Sequence, residues 1–227
     1  MPMPAAPTGS PGLRVVRDLE AGIALPELRV RVGGSAAPNA LPAGRAVDLG
    51  VAADRRRLLE WLRRWGARGL SKAGEPTTLA TLRSWGAAWQ PRLPGGDRAL
   101  TQLDDDELDT VASAYAALAE AAASVRRSAA GDVAVRFGPT AASKALYALR
   151  PMACPPWDEP IRYALGLGAT DTAYRAYLGL VARALRRAAA RARVKVEHLP
   201  RCAGRPDLSP PKLVDEYLWV ALSRDAR

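Results

Sequence analysis

Between Asp171 and Arg193 the apolar residues Tyr174, Leu178, Val181, Leu185, Ala188 and Ala192 recur at alternating steps of four and three. That is the period of one face of an α-helix, and a helix this long gains its stability by burying that face against other elements. Arg175, Arg183, Arg186, Arg187 and Arg191 fall on the opposite side. One face is therefore expected to pack and the other to be strongly cationic. A helix lying in a membrane surface fits less well, because the apolar stripe is narrow and alanine-rich. No apolar run approaches the length of a bilayer span. The N-terminal MPMPAAPTGSPG has neither the basic region nor the apolar core of a signal peptide. The expected compartment is the cytoplasm, with no membrane partner.

Other segments repeat the helical period. Asp54 suits the N-cap of a helix running to Trp65, with Leu58, Trp61, Leu62 and Trp65 as its stripe. After Glu75-Pro76 a helix over 78–90 places Leu82, Trp85 and Trp89 on one side. The segments LRRWGARG and LRSWGAAW are alike, which suggests two related helical hairpins, and tryptophans at this spacing are read as core. A helix is expected over 104–127, with Asp104 to Glu107 at its start and Arg126-Arg127 at its end, matching the helix dipole. The last helix is expected over 211–222, burying Leu213, Tyr217 and Val220 or nearby residues. Short strands are expected at 13–17, 28–32 and 194–199 from their apolar and basic alternation. Residues 1–12 read as a disordered tail, and a linker rich in Pro, Ala and Gly runs to Gly44. PRLPGGD at 91–97 is the best boundary between an N-terminal helical portion, 13–97, and a main helical domain, 98–227, or the two form one continuous domain, 13–227. The fold class expected is mainly α, a compact helical domain with a few short β-strands.

Residues 133–165 depart from this pattern. Gly138-Pro139 interrupts the chain, and a helix from Ala141 to Leu149 follows, with Ala142, Ala145, Leu146 and Leu149 on one face. Lys144, Tyr147, Ser143 and Arg150 project from the other, so Lys144 is expected to meet solvent or a ligand. Pro151 and Pro155-Pro156 hold a stiff connector. Asp158 then suits the N-cap of a helix from Glu159 to Leu165.

A lysine on one helix, a proline-rich turn and an aspartate opening the next helix resemble the catalytic core of the helix-hairpin-helix DNA glycosylases. The resemblance implies base-excision chemistry, with Lys144 as the nucleophile that attacks the sugar carbon. Asp158 would be the carboxylate that stabilises positive charge developing on the sugar. Arg136, Arg150 and Arg162 would supply a cationic surround to the amine. The wording SKALYALRP, PPWDEPIR and SPPKLVDEYLW is also similar to that of uncharacterised proteins from high-GC bacteria.

A formal charge of +10 favours anionic partners, nucleic acid first, because neutralising phosphates releases counterions. The candidate nucleic-acid contacts are Arg136, Arg150, Arg162, Arg183, Arg186, Arg187 and Arg191. The alternative is a non-catalytic interaction domain whose arginines meet an acidic protein partner. A third reading is an enzyme holding a small anionic ligand between Lys144, Arg150 and Arg162. No cofactor is expected, since no Walker or dinucleotide glycine loop is present. No metal site is expected either: His198 and Cys202 are separated by Pro200, and the carboxylates at 104–107 point around a helix. Cys154 and Cys202 read as free thiols.

Overall fold

The long amphipathic helix is the axis of the fold. The computed structural model describes residues 11–29, 46–67, 69–128 and 131–224, and in it the helix α8 spans Asp171–Ala192. Thr170 caps it, its Oγ1 accepting the Ala173 N–H at 3.1 Å. The expected stripe is buried from Tyr174 to Ala188. It packs against three other helices, α1 (Pro11–Ala21), α5 (Asp105–Glu120) and α10 (Pro210–Arg224). Between them lie α2 (Leu25–Leu28), α3 (Ala52–Arg64), α4 (Glu75–Trp89), α6 (Pro139–Leu149), α7 (Glu159–Ala164) and α9 (Leu199–Cys202). The architecture is mainly α with one two-stranded antiparallel sheet, β1 (Ala122–Ser128) and β2 (Gly131–Arg136), among the described residues.

The strand expected at 13–17 is replaced by a helix. Val15 and Leu19, four residues apart, are both buried on α1, so a pattern that alternates locally is used here at helical period. The segment expected as a strand at 28–32 enters the described residues only as the end of α2 at Leu28 and Arg29. The expected tail at 1–10 and the linker at 30–45 lie outside the described residues. The link from α1 to α2 passes tightly over α8. Gly22 has φ +85, and a Cβ there would lie 2.6 Å from Arg187 Cβ. The Arg191 guanidinium donates to the Gly22 carbonyl at 2.6 Å.

The α5 helix stops at Glu120 rather than Arg127. Its start is as expected: Asp104 caps it, the side chain accepting the Glu107 N–H at 2.8 Å. The segment that follows, AASVRRS, forms β1, whose partner strand puts Ala122 opposite Arg136 and Ser128 opposite Gly131. Helix α4 holds this strand through side chains: Thr78 Oγ1 donates to the Ala123 carbonyl at 2.6 Å and Thr81 Oγ1 to that of Ala122 at 2.5 Å. The approach is close enough that a Cβ on Gly74 would lie 2.2 Å from Ser124 Cβ. Tertiary hydrogen bonds thus override the helix propensity of alanine.

The two Trp-Gly segments adopt different conformations. On α3 the helix ends before Trp65, and Gly66 turns the chain at φ +79. On α4 Gly86 stays helical, and its missing side chain admits Leu49, whose Cβ would lie 2.5 Å from a Cβ there. Trp61 and Trp85 are core, while Trp65 and Trp89 are only partly buried against it. The strand expected at 194–199 is instead a 3-10 turn, Val196–His198, running into α9.

Helices α6 and α10 are buried on nearly every side. On α6 residues Ala141 to Tyr147 are all buried, and on α10 so are Pro211 to Leu218. A cluster of buried apolar residues extends from Val15 to Leu218.

Candidate lysine-carboxylate site

Lys144 is not on a solvent face. With α5 and α3 packed against α6, Ser143, Lys144 and Tyr147 are all buried. A reading from amphipathic period assumes one-sided burial, and a short helix in the middle of a bundle does not meet that condition. Arg150, at the end of the same helix, is half-buried.

The connector after α6 is held by three hydroxyls. Tyr174 Oη donates to the Pro155 carbonyl at 3.1 Å and Tyr177 Oη to that of Pro156 at 3.1 Å, both from α8. Ser143 Oγ accepts the Trp157 N–H at 3.0 Å. The Trp157 indole is buried and stacks on Tyr177, with ring centroids 5.4 Å apart and planes at 9°. These contacts fix the main chain that carries Asp158.

Asp158 occupies the N-cap position of α7, with extended φ −83 and ψ 159, but its side chain makes no capping hydrogen bond. It turns instead to Lys144, whose Nζ lies 3.0 Å from Asp158 Oδ1. The contact is an ion pair without hydrogen-bond alignment, since Oδ1 meets no donor in hydrogen-bonding geometry. Lys144 Nζ also donates to the Trp65 carbonyl at 3.0 Å and lies 4.7 Å from the centroid of the Trp65 ring. The lysine side chain is 5% exposed and that of Asp158 20%, so the pair opens outward on the carboxylate side.

The arginines expected around the amine are engaged elsewhere or alongside. Arg136 is exposed and paired with Glu120. Arg150 donates to the carbonyls of Pro94, Gln90 and Leu149, and its burial lowers the guanidinium pKa. It clamps the 90–94 turn to the end of α6. Arg162 lies alongside the pair: it donates to the Trp157 carbonyl at 2.9 Å, next to Asp158, and to Thr140 Oγ1 at 3.3 Å.

On α8 the four arginines Arg183, Arg186, Arg187 and Arg191 are exposed. Arg186 donates to the Thr101 carbonyl at 2.7 Å and Arg191 to that of Gly22. Arg183 and Arg187, one turn apart, make no ion pair among the described residues. Arg175 is neutralised by Asp105 and Asp109 at the acidic start of α5, at 2.7 and 2.5 Å.

No family model matches the chain, and searches of curated proteins and of solved structures find no match to it.

Sequence reasoning missed the residues on α10. Lys212 Nζ lies 2.5 Å from Asp215 Oδ2 and 5.0 Å from the centroid of the Trp65 ring that Lys144 also faces. Glu216 accepts from Arg205 at 2.6 Å, and all four of these charged residues are buried. The signal was the spacing of Lys212, Asp215 and Glu216 in SPPKLVDEY, overshadowed by the apolar stripe of the same helix. Among the described residues no group of three or more His, Cys, Asp or Glu converges as a metal site, and Cys154 and Cys202 are unpaired. No helix among the described residues is long and apolar enough to cross a membrane.

Proposed function

We propose that this is a nucleic-acid-binding helical protein that contacts phosphates through the outer face of α8. The observation that carries the reading is the pair Arg183 and Arg187, exposed one helical turn apart with no carboxylate engaged, on a chain of net charge +10. Guanidinium groups left unneutralised at this spacing match the charge of a phosphate backbone. Fluorescence anisotropy of a labelled DNA duplex tests it. Affinity is expected to fall log-linearly with salt, and Arg183→Ala with Arg187→Ala to flatten the slope by roughly one for each phosphate no longer neutralised. A titration unchanged by the double substitution removes α8 as the contact surface. Binding confined to an acidic protein favours the interaction-domain alternative.

One observation favours a second reading, base-excision chemistry at Lys144 and Asp158. Asp158 stands where an aspartate ordinarily caps a helix and is turned to the lysine instead. A carboxylate beside an amine is what stabilisation of a sugar cation and attack on its carbon require. In the arrangement seen, the ammonium is directed at Asp158 and at the Trp65 carbonyl, so attack needs Lys144 to give up a proton, with the Asp158 carboxylate beside it as the acceptor, and to leave both. Borohydride trapping on DNA carrying abasic or damaged sites, with and without Lys144→Ala, tests this chemistry separately from binding.

A further inference from the structure

Two lysine-carboxylate pairs bring their ammonium groups to one indole, the Lys212 and Asp215 pair buried and the Lys144 and Asp158 pair open on its carboxylate side. Lys144 and Asp158 come from α6 and the start of α7, Lys212 and Asp215 from α10, and both ammonium groups lie within 5.0 Å of the Trp65 ring centroid. Stability alone does not call for this arrangement, because buried ion pairs carry a desolvation cost that apolar side chains of similar volume avoid. Asp215 also keeps one oxygen, Oδ1, buried without a hydrogen-bond partner. An open acceptor on a buried carboxylate is costly in a site that serves only packing.

We propose that Lys212 and Asp215 are the second half of the Lys144 and Asp158 site, with Asp215 a positioning residue whose charge governs the Lys144 ammonium. The proposal rests on reading Lys144 and Asp158 as a functional pair. The charged and titratable groups around Asp215 come from every side: Lys212 and Glu216 on its own helix, Arg205 and Asp207 just before it, Lys144 and Tyr147 from α6, Asp158 from the start of α7, and Tyr177 from α8. Burial raises the proton affinity of the Asp215 carboxyl and Lys212 opposes this, while the charge of Asp158 raises it and that of Lys144 lowers it. Linkage is reciprocal, so the charge on Asp215 acts back on Lys144 and Asp158. Tyr147 ties the two halves sterically as well: it packs on Trp65 with ring centroids 5.6 Å apart, and its hydroxyl is bonded to Ser209 just before α10.

The chain makes the test practical, because it has only four lysines, Lys72, Lys144, Lys195 and Lys212, and the first and third are exposed. In the intact protein with ¹⁵N-labelled lysine, the buried ammonium resonances are followed by NMR as pH is raised through the carboxylate range. Lys144 and Lys212 are expected to shift in one shared transition. Asp215→Asn is expected to remove that transition from both resonances, and Asp215→Glu to retain it. A Lys144 resonance indifferent to Asp215→Asn, while that of Lys212 moves, overturns the proposal. If Asp215→Asn does not fold, the wild-type titration decides: separate transitions for the two lysines overturn it, and a shared one upholds it. Borohydride trapping on abasic DNA reports on the lysine chemistry by itself. Absence of an adduct beside a shared transition sinks the excision reading and leaves the coupling intact.

Discussion

The Trp157 N–H and Ser143 Oγ are joined by a 3.0 Å hydrogen bond, and the residues that follow each of them, Asp158 and Lys144, meet at 3.0 Å. One buried bond therefore sets the register of a lysine on one helix against a carboxylate at the start of another. Ser143 also donates to the Thr140 carbonyl at 3.1 Å, so the same hydroxyl is both donor and acceptor. Ser143→Ala is expected to leave the Trp157 N–H buried without a partner, at a cost of about 1–3 kcal/mol in urea denaturation. Ser143→Thr, which keeps the hydroxyl, is expected to lose less.

Asp158→Asn separates a cap from an ion pair. Asparagine caps helices as well as aspartate does, so a capping residue tolerates the change. Here the side chain makes no cap and faces a buried lysine, so removing its charge leaves Lys144 unpaired. The expected loss is about 1–3 kcal/mol, set below the range for fully buried pairs because Asp158 keeps contact with solvent. Combining it with Lys144→Met is expected to recover part of that loss, and a double-mutant cycle by thermal denaturation measures the coupling. A silent Asp158→Asn contradicts the ion-pair assignment.

Gly22→Ala strains the crossing of α1 and α2 over α8. The residue sits at φ +85, and the added methyl would meet Arg187 Cβ at 2.6 Å. The left-handed backbone and the overlap together are expected to cost about 1–3 kcal/mol. The loss is read as a lowered denaturation midpoint, and a wild-type midpoint would mean that this crossing is not held as described.

Alkaline pH is expected to unfold the protein earlier than its surface charge suggests. Burial pushes the Cys154 thiol up to about 12 from 9.0, and raises the phenols of Tyr115, Tyr147, Tyr174 and Tyr177 above their ordinary value of 10.0. In each case the unfolded chain releases its proton first, so in that window it binds fewer protons than the folded one. Stability is full below the unfolded values and falls as pH rises, by about 1.4 kcal/mol per pH unit for each group. Cys154→Ala is expected to lessen the slope between pH 9.0 and about 12 by one group, measured from urea midpoints at successive pH values. An unaltered slope argues against the thiol as a contributor.

The tryptophans divide by burial. Trp61→Ala and Trp85→Ala remove core side chains and are expected to cost roughly 3–5 kcal/mol. Trp85 also loses the bond from its Nε1 to the Ala114 carbonyl, 2.9 Å long. Trp89→Ala is expected to cost less, since Trp89 is only partly buried and its ring carries Arg92 at 4.4 Å. Equal losses at all three positions would contradict this division, as read from the denaturation midpoints of the three variants.

The sequence by itself determined the elements whose signals are local and one-sided. Helix α8 has an uninterrupted stripe, α5 has a capping aspartate at its start, and α6 and α7 are separated by prolines that no helix continues through. Lys144 and Asp158 were set together by the family resemblance, while their own signals read as a solvent-facing lysine and a helix cap on either side of one stiff connector. Tertiary structure decided what the pattern leaves degenerate. Ala122 to Ser128, expected to continue the helix, is a strand whose carbonyls at Ala122 and Ala123 are bound by Thr81 and Thr78 of α4. Two like Trp-Gly segments part, Gly86 staying in α4 with Leu49 pressed against it and Gly66 turning the chain at φ +79. Lys144 is buried, and Lys212 and Asp215 join it at Trp65, because α6 and α10 are covered on nearly all sides. Periodicity reports which residues share a face of one helix; how many faces the other helices cover is set by residues distant in the chain.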